Sequence, residues 1–313
     1  MNRQVLPYRG VKLGFYRRVA KIRPSIMMRS AHPTVYGKIH FEFNRNIAFK
    51  AVMPVPHTAA DSYENLRMNL RPYINRTAFI VSVMTSSSPR NVITRPPHSG
   101  KTLLLDTLKT LLVVNPTAPG DASRQRAFFA GLKVTENQPF CDAFMGRFPV
   151  LSVSLRTVAG SSFETALATL INVIVSLAAE HDDLLQSPRL SEDDKRYLQH
   201  CLSREYLQDP SHVMVVKKFL SRMTTFLAKH YDRRVVLLID DWDVPLQAAT
   251  DAGYCTRMLD FLQSFLAFLE GSSPIKIHGL PILKKTVLMG YGKVKLGDLF
   301  VDTHYFDVRT ITL

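Results

Sequence analysis

The sequence predicts an α/β fold in which helices cover both faces of a mostly parallel β-sheet. Runs of unbroken apolar residues, such as 235–239, are typical of strands that are buried on both faces of a sheet. These runs alternate along the chain with amphipathic segments of helical period. Because 46% of the 313 residues are apolar, the chain can also bury a substantial core. The expected architecture is a three-layer α/β/α sandwich.

Five segments are predicted strands, since they are apolar or alternating and are bounded by charges or turn residues. They are RNVITR (90–95), RFPVLSVSL (147–155), RRVVLLIDDWD (233–243), KKTVLMG (284–290) and HYFDVRTITL (304–313). The basic pairs that precede the third and fourth strands, at 233–234 and 284–285, are expected to be solvated at the end of the sheet where those strands begin.

Six segments are predicted helices: 61–70, 101–113, 166–180, 191–207, 211–230 and 253–271. The first has Asp61 or Ser62 as its candidate cap. Ser161 and Glu164 have the spacing of a capping box before the third helix. Gly271 is the expected end of the last one.

The first 58 residues are predicted to be a basic, poorly ordered leader, and residues 59–313 the folded domain. The net charge of the chain is +14, and residues 1–60 hold eleven Lys or Arg but only one acid, Glu42. Such a segment is typical of an organellar transit peptide, of a basic arm that binds nucleic acid or an anionic membrane, or of a solvated extension. The sequence leaves these three interpretations open, and the location is expected to be intracellular, either cytoplasmic or mitochondrial.

The sequence supports neither a cysteine-ligated metal site nor a membrane-spanning protein. The three cysteines are far apart and have no metal-ligand spacing, which favours buried thiols in a reducing compartment. The longest apolar run is too short and too polar to span a bilayer, so no transmembrane segment is predicted.

The segment TRPPHSGKTLLLD (94–106) contains the end of a phosphate-binding loop. Gly100 would let the backbone approach phosphates, Lys101 would reach the β- and γ-phosphates, and the Thr102 hydroxyl would ligate Mg²⁺. The helix that follows offers free N–H groups and the positive end of its dipole. The predicted nucleotide-binding residues are Arg95, His98, Ser99, Gly100, Lys101, Thr102 and Leu103.

The strand 235–239 ends in Asp240 and Asp241, which supply the carboxylates that a phosphate loop needs. Asp240 is the predicted second Mg²⁺ ligand. Asp241 stands where a catalytic base would polarise water, so Asp241 and Lys101 are the predicted catalytic residues. Trp242 is expected to pack, half-buried, and Asp243 either orients the site or caps the next segment.

These motifs resemble the AAA-ATPase-like family of P-loop proteins. The chain's YINRTAFI (73–80), RPPHSGKTLLLDTLK (95–109), VVLLIDDWDVP (235–245) and VLMGYGKV (287–294) follow that family's segments in order. The resemblance spans roughly residues 60–300 and implies a P-loop NTPase fold that binds ATP and Mg²⁺. It also implies that arginine is usual in this family at the first-glycine position of the loop, where this chain has Arg95. Many members carry a nuclease-like domain after this one; no matching motif follows here, so no nuclease activity is expected.

The departures from the family pattern concern catalysis more than binding. Asp241 replaces a glutamate, Met289 a threonine and Lys293 an arginine, and the loop lacks two basic residues. Three functions therefore remain open: a weak Mg²⁺-dependent ATPase that couples nucleotide state to conformation, a catalytically degenerate nucleotide-binding module, and a nucleic-acid-associated ATPase that uses the basic leader. A homo-oligomer or a protein partner is compatible with each.

Overall fold

The computed structural model describes residues 62–270, 275–292 and 294–310. Seven strands lie within these residues: β1 Arg90–Thr94, β2 Val150–Ser154, β3 Val235–Asp240, β4 Lys276–Ile277, β5 Leu280–Pro281, β6 Leu283–Gly290 and β7 Phe306–Thr310. The predicted leader, Gly271 and Lys293 lie outside the described residues. The strands predicted at 90–95, 147–155, 233–243 and 284–290 are confirmed, and the last one is confirmed over β7.

The helices are α1 Tyr63–Met68, α2 Thr77–Thr85, α3 Lys101–Leu112, α4 Ser123–Phe129, α5 Gln138–Phe144, α6 Phe163–Ala179, α7 Glu192–Leu202, α8 Arg204–Gln208, α9 Val213–Tyr231, α10 Val244–Ala252, α11 Cys255–Leu266 and α12 Leu296–Leu299. Short 3₁₀ turns occupy Lys133–Glu136, Asp182–Gln186, Pro210–His212, Ala267–Leu269 and Thr303–Tyr305. In the part of the chain that is described, no helix has the length and apolar character needed to cross a membrane.

A five-stranded sheet forms the centre, in the order β2-β3-β6-β1-β7, and every pairing in it is parallel. The strand β6 therefore lies between β1, which precedes the predicted phosphate loop, and β3, which ends at the first of the paired acids. Since the strands are parallel, their carboxyl ends meet at one edge of the sheet. This order places the ends of β1 and β3 on either side of β6. Thr102, which follows β1, and Asp240, which ends β3, are 138 residues apart in the chain.

Two apolar cores lie on opposite faces of this sheet. Alternate residues of β3 contribute to each: Leu237 and Ile239 pack with helices α6, α9 and α11, and Val236 and Leu238 pack with α2, α3 and α5. All six residues of β3 are buried, as expected for a central parallel strand. The predicted three-layer α/β/α architecture with a parallel sheet is confirmed.

Several local predictions were wrong in detail. The cap of α6 is Ser162, whose hydroxyl accepts a hydrogen bond from the Thr165 N–H, and not Ser161. The helix predicted over 191–207 divides at Ser203, whose hydroxyl caps α8. Ser203 can do this because a serine hydroxyl competes for backbone N–H groups.

One lysine that was predicted to be solvated is buried. Lys285 is 3% exposed, and its ammonium donates to the Ser86 carbonyl and hydroxyl and to the Ser88 carbonyl at 2.5–2.8 Å. Burial lowers the pKa of Lys285 to about 8. The three acceptors offset part of the cost of burying this charge. Lys285 thus fastens the end of α2 to the sheet.

Candidate functional site

The predicted phosphate loop connects β1 to α3 at the carboxyl edge of the sheet. Its first residue is fixed to the neighbouring strand, because the Arg95 N–H donates to the Gly290 carbonyl at 3.1 Å. Gly100 adopts a left-handed conformation, with φ +78°, immediately before the helix. The loop needs glycine here for this conformation, and a Cβ on Gly100 would also lie 2.9 Å from Nη1 of Arg76 and displace that guanidinium group.

Lys101 points back into its own loop. Its ammonium donates to the carbonyls of Arg95 and Pro96 at 3.2 and 3.0 Å and lies 3.6 Å from the centre of the Tyr291 ring. The side chain is 5% exposed, and burial lowers the pKa of Lys101 while Asp241 and Asp240 raise it. The loop carbonyls therefore occupy two of the three N–H donors of this lysine in the described conformation.

Thr102 and Asp240 are brought together as the sequence predicts. The Thr102 hydroxyl donates to Oδ2 of Asp240 at 2.7 Å, and the Asp241 N–H donates to Oδ1 at 3.1 Å. Burial raises the pKa of Asp240 to about 6, against the lowering effect of the Thr102 hydrogen bond. A carboxylate in such a place is available to a cation near neutral pH and becomes protonated in mild acid.

Asp241 lies beside this pair in a strained, buried position. Its φ is +53°, which is uncommon for a residue other than glycine, and it is 2% exposed. No described residue donates a hydrogen bond to its Oδ1. Burial raises the pKa of Asp241, and the charges of Lys101 and Arg156 lower it. A carboxylate oxygen without a hydrogen-bond donor is free to accept a proton from a water molecule within reach, as a general base does.

Two arginines line the loop from the inside. Arg95 is 1% exposed, and within the described residues none of its three guanidinium nitrogens has a hydrogen-bond partner. Arg76 donates from Nη1 to the Ser99 carbonyl at 2.7 Å. The hydroxyl of Ser99 is buried and has no partner in the same described set. Burial, then repulsion from Arg76, lowers the pKa of Arg95.

Arg76 was not among the predicted site residues, although a signal for it was present. It is the basic residue of YINRTAFI, at the position where the family segment carries lysine. The resemblance of that segment to the family therefore pointed to Arg76 as a site residue. Nothing in the composition or period of the segment indicates that Arg76 contacts Ser99.

The turn after β6 contributes Tyr291 to the site, and Met289, which the family resemblance singles out, does not line it. Met289 is fully buried in the core, whereas Tyr291 covers Lys101. Asp243 holds this turn, because its Oδ2 accepts hydrogen bonds from the N–H groups of Tyr291 and Gly292 at 2.8 and 2.9 Å. Asp243 thus orients the site; its side chain does not cap α10.

The remaining predicted residues are placed as follows. His98 is exposed at the tip of the loop with φ +58°, and Leu103 is half-buried against the core. Trp242 is 2% exposed, so it packs as predicted but is buried more completely. In the described part of the chain, no group of three His, Cys, Asp or Glu side chains could hold a metal without other ligands.

The comparisons with known proteins identify one family. Searches of curated proteins and of solved structures found no match. Residues 57–300 match the AAA-ATPase-like family, which is described as a predicted AAA-ATPase. The match spans most of the chain and includes the loop, the paired acids and the end of β6. The chain belongs to the AAA-ATPase-like family.

Proposed function

We propose that the chain binds ATP with Mg²⁺ at this edge of the sheet and hydrolyses it weakly, so that nucleotide state is coupled to conformation. Membership of the family implies nucleotide binding. The hydrogen bond from Thr102 to Asp240 carries the proposal, because it joins the two halves that a magnesium-nucleotide site needs.

The loop fits a phosphate group. The guanidinium of Arg95 and the hydroxyl of Ser99 are buried donors that find no partner among the described residues. Leaving such groups unsatisfied is costly, and an anion would satisfy them. Gly100 offers no side chain to cap α3, so the first N–H groups of that helix are also available to an anion.

The acids fit Mg²⁺ in the way that nucleotide sites usually hold it. Mg²⁺ is commonly bound by one or two protein oxygens, with phosphate and water completing the octahedron. Thr102 and Asp240 offer those two oxygens. When bound, the ion would neutralise charge on the phosphates. Its binding would also favour the ionised form of Asp240, whose burial disfavours that form.

Three features of the chain predict slow turnover. Asp241 is one methylene shorter than the glutamate that the family carries, and a base must reach its water. Met289 is buried and has no hydroxyl to offer. Lys101 must also release the two loop carbonyls before it can bind phosphate oxygens. This release is the step that would couple nucleotide binding to a change in the loop.

The test is calorimetric titration of ATP with and without Mg²⁺, with phosphate release measured on the same samples. Lys101→Ala should abolish binding, since it removes the ammonium group that would reach the β- and γ-phosphates. Lys109→Ala is the matched control, because it removes a lysine from the last turn of the same helix. We expect wild type and Lys109→Ala to bind ATP and release phosphate slowly. A folded wild-type protein that binds no ATP would overturn the proposal.

A nucleotide-binding module without turnover is the second candidate, and the closed position of Lys101 under Tyr291 favours it. The variant Asp241→Glu separates the two candidates, because it restores the length of the family's carboxylate. Phosphate release by wild type supports the ATPase. Release by Asp241→Glu alone would identify a binding module whose base is too short.

A further inference from the structure

A basic cavity lies at the opposite end of the sheet from the nucleotide site. It has a volume of about 580 Å³, and Arg147, Arg189, Arg233 and Arg234 line it. Arg147 precedes β2 and Arg234 precedes β3, so the cavity is at the amino ends of these strands. The predicted phosphate loop and the acids are at their carboxyl ends.

The positive charge of this cavity is largely uncompensated. Asp232 is the only carboxylate in the lining that the described residues provide, and its Oδ1 lies 3.4 Å from Nε2 of His278. Lys284 stands close by, and burial and repulsion from Arg234 lower its pKa. Four guanidinium groups facing one acid produce a field that attracts an anion.

The arginines are held in place by neutral groups. Arg234 donates to the carbonyls of Pro281 and Leu283, both at 2.8 Å. Arg147 donates to the Asp142 carbonyl at 3.2 Å, and Arg189 to the His230 carbonyl at 3.3 Å. Carbonyls position these guanidinium groups without neutralising them, and each group retains further N–H donors for an anion.

Two aromatic side chains complete the lining. Tyr231, the last residue of α9, and Phe148, just before β2, are both half-buried there. Arginines that bind phosphates, interleaved with aromatic faces that stack on bases, are the combination by which proteins hold single-stranded nucleic acid. A lone phosphate would have no use for the aromatic faces.

We propose that this cavity binds single-stranded nucleic acid through its phosphates, with the aromatic rings as stacking surfaces. The proposed site is at the opposite end of the sheet from the nucleotide site, and binding there does not depend on ATP.

The test is fluorescence anisotropy of a labelled oligothymidylate with the full-length chain, at salt concentrations between 50 and 200 mM. The double variant, which combines Arg189→Glu with Arg233→Glu, should bind the oligonucleotide more weakly, on the order of tenfold or more. It should also reduce the slope of log K against log salt by roughly 1.4, the contribution of two phosphate contacts to a single strand. Arg189→Glu alone, at an exposed residue, keeps the test valid if the double variant does not fold.

The control variant is Lys218→Glu, which changes the charge of an exposed residue by the same amount as each substitution above. Lys218 and the cavity residue Tyr231 are both on α9. They are 13 residues apart, which is about 20 Å along the helix. Lys218→Glu should bind like wild type. Lys101→Ala should also bind like wild type, which separates this proposal from the nucleotide site.

Three outcomes would overturn the proposal. One is unchanged affinity in the folded arginine variants, which would assign any binding to another part of the chain, such as residues 1–58. Another is an equal loss in Lys218→Glu, which would indicate an effect of net charge alone. The third is a duplex of the same length that binds more tightly than the single strand, which would leave the aromatic faces without a role.

Discussion

The carboxylate of Asp240 is held where its charge is disfavoured. Its pKa is raised to about 6 by burial, although it accepts hydrogen bonds from Thr102 and from the N–H of Asp241. Because the folded state binds this proton more tightly than the unfolded state, the associated stability is present in acid and is lost as pH rises through 6. The proposed function therefore needs Asp240 at neutral pH in the ionised form that burial disfavours.

Asp240→Asn is expected to make the nucleotide-free protein more stable. The amide is neutral, its oxygen can accept from the Asp241 N–H, and its nitrogen can donate to Thr102. The free energy of unfolding in urea at pH 8 should rise by about 1 to 3 kcal/mol, with a smaller gain at pH 5. Mg²⁺-dependent ATP binding should be lost. A gain that is equal at both pH values would show that burial of the charge is not the cause.

The same titration predicts the pH dependence of ligand binding. A carboxylate must be deprotonated to ligate a metal, so wild-type affinity for ATP with Mg²⁺ should fall as pH drops below about 6. Calorimetry between pH 5 and 8 measures this. Asp240→Asn is the control, since the Mg²⁺-independent affinity for ATP that remains in this variant should not show the same fall below pH 6.

Tyr291 is expected to restrain Lys101 in the nucleotide-free protein. The cation lies 3.6 Å from the ring centre, a contact that stabilises the closed position by about 0.5 to 2 kcal/mol. Tyr291→Leu should therefore tighten ATP binding by roughly two- to thirtyfold in calorimetry, whereas Tyr291→Phe, which keeps the ring, should bind like wild type. Weaker binding in Tyr291→Leu would mean that the ring supports the nucleotide instead.

At the scale of single elements, the cap of α6 distinguishes two adjacent serines. Ser162 accepts the Thr165 N–H, and Ser161 is exposed and outside the helix. Ser162→Ala should lower the free energy of unfolding by about 1 kcal/mol, and Ser161→Ala should leave it nearly unchanged. Urea unfolding of the two variants measures the difference. If Ser161→Ala were instead the more destabilising variant, Ser161 would be the cap, as the sequence alone predicts.

The end of β6 is packed too closely for any side chain at Gly290. A Cβ there would lie 2.6 Å from Oδ1 of Asp243 and from Nε1 of Trp242. Gly290→Ala should displace Asp243 and with it the turn that carries Tyr291, and it should cost about 1 to 3 kcal/mol of unfolding free energy. Trp242 emission should also change. Gly297→Ala is the control, because nothing lies within 4 Å of its Cβ position.

At the scale of the whole molecule, the site joins residues from distant parts of the chain. The loop and its helix could be predicted because they are contiguous, and Asp240 because an apolar strand leads to it. The contacts of Arg76, Tyr291 and Lys285 could not be predicted from local pattern. The contacts of Tyr291 and Lys285 depend on the placement of β6 between β1 and β3, which is a property of the sheet, and that of Arg76 depends on how the segment before α2 packs against the loop.

A ligand bound to such a site should stabilise the whole domain at once. At a hundred times its Kd, ATP with Mg²⁺ should add about 2.7 kcal/mol, or roughly 5 to 10 °C in Tm for a domain of this size. The chain has a single tryptophan, Trp242, buried beside Gly290. Its emission therefore reports on the site, while far-ultraviolet circular dichroism reports on the helices. Because the loop, β3 and β6 share one sheet, the two signals should shift together, and Lys101→Ala should remove both shifts. A shift in emission alone would mean that nucleotide orders the loop without stabilising the sheet.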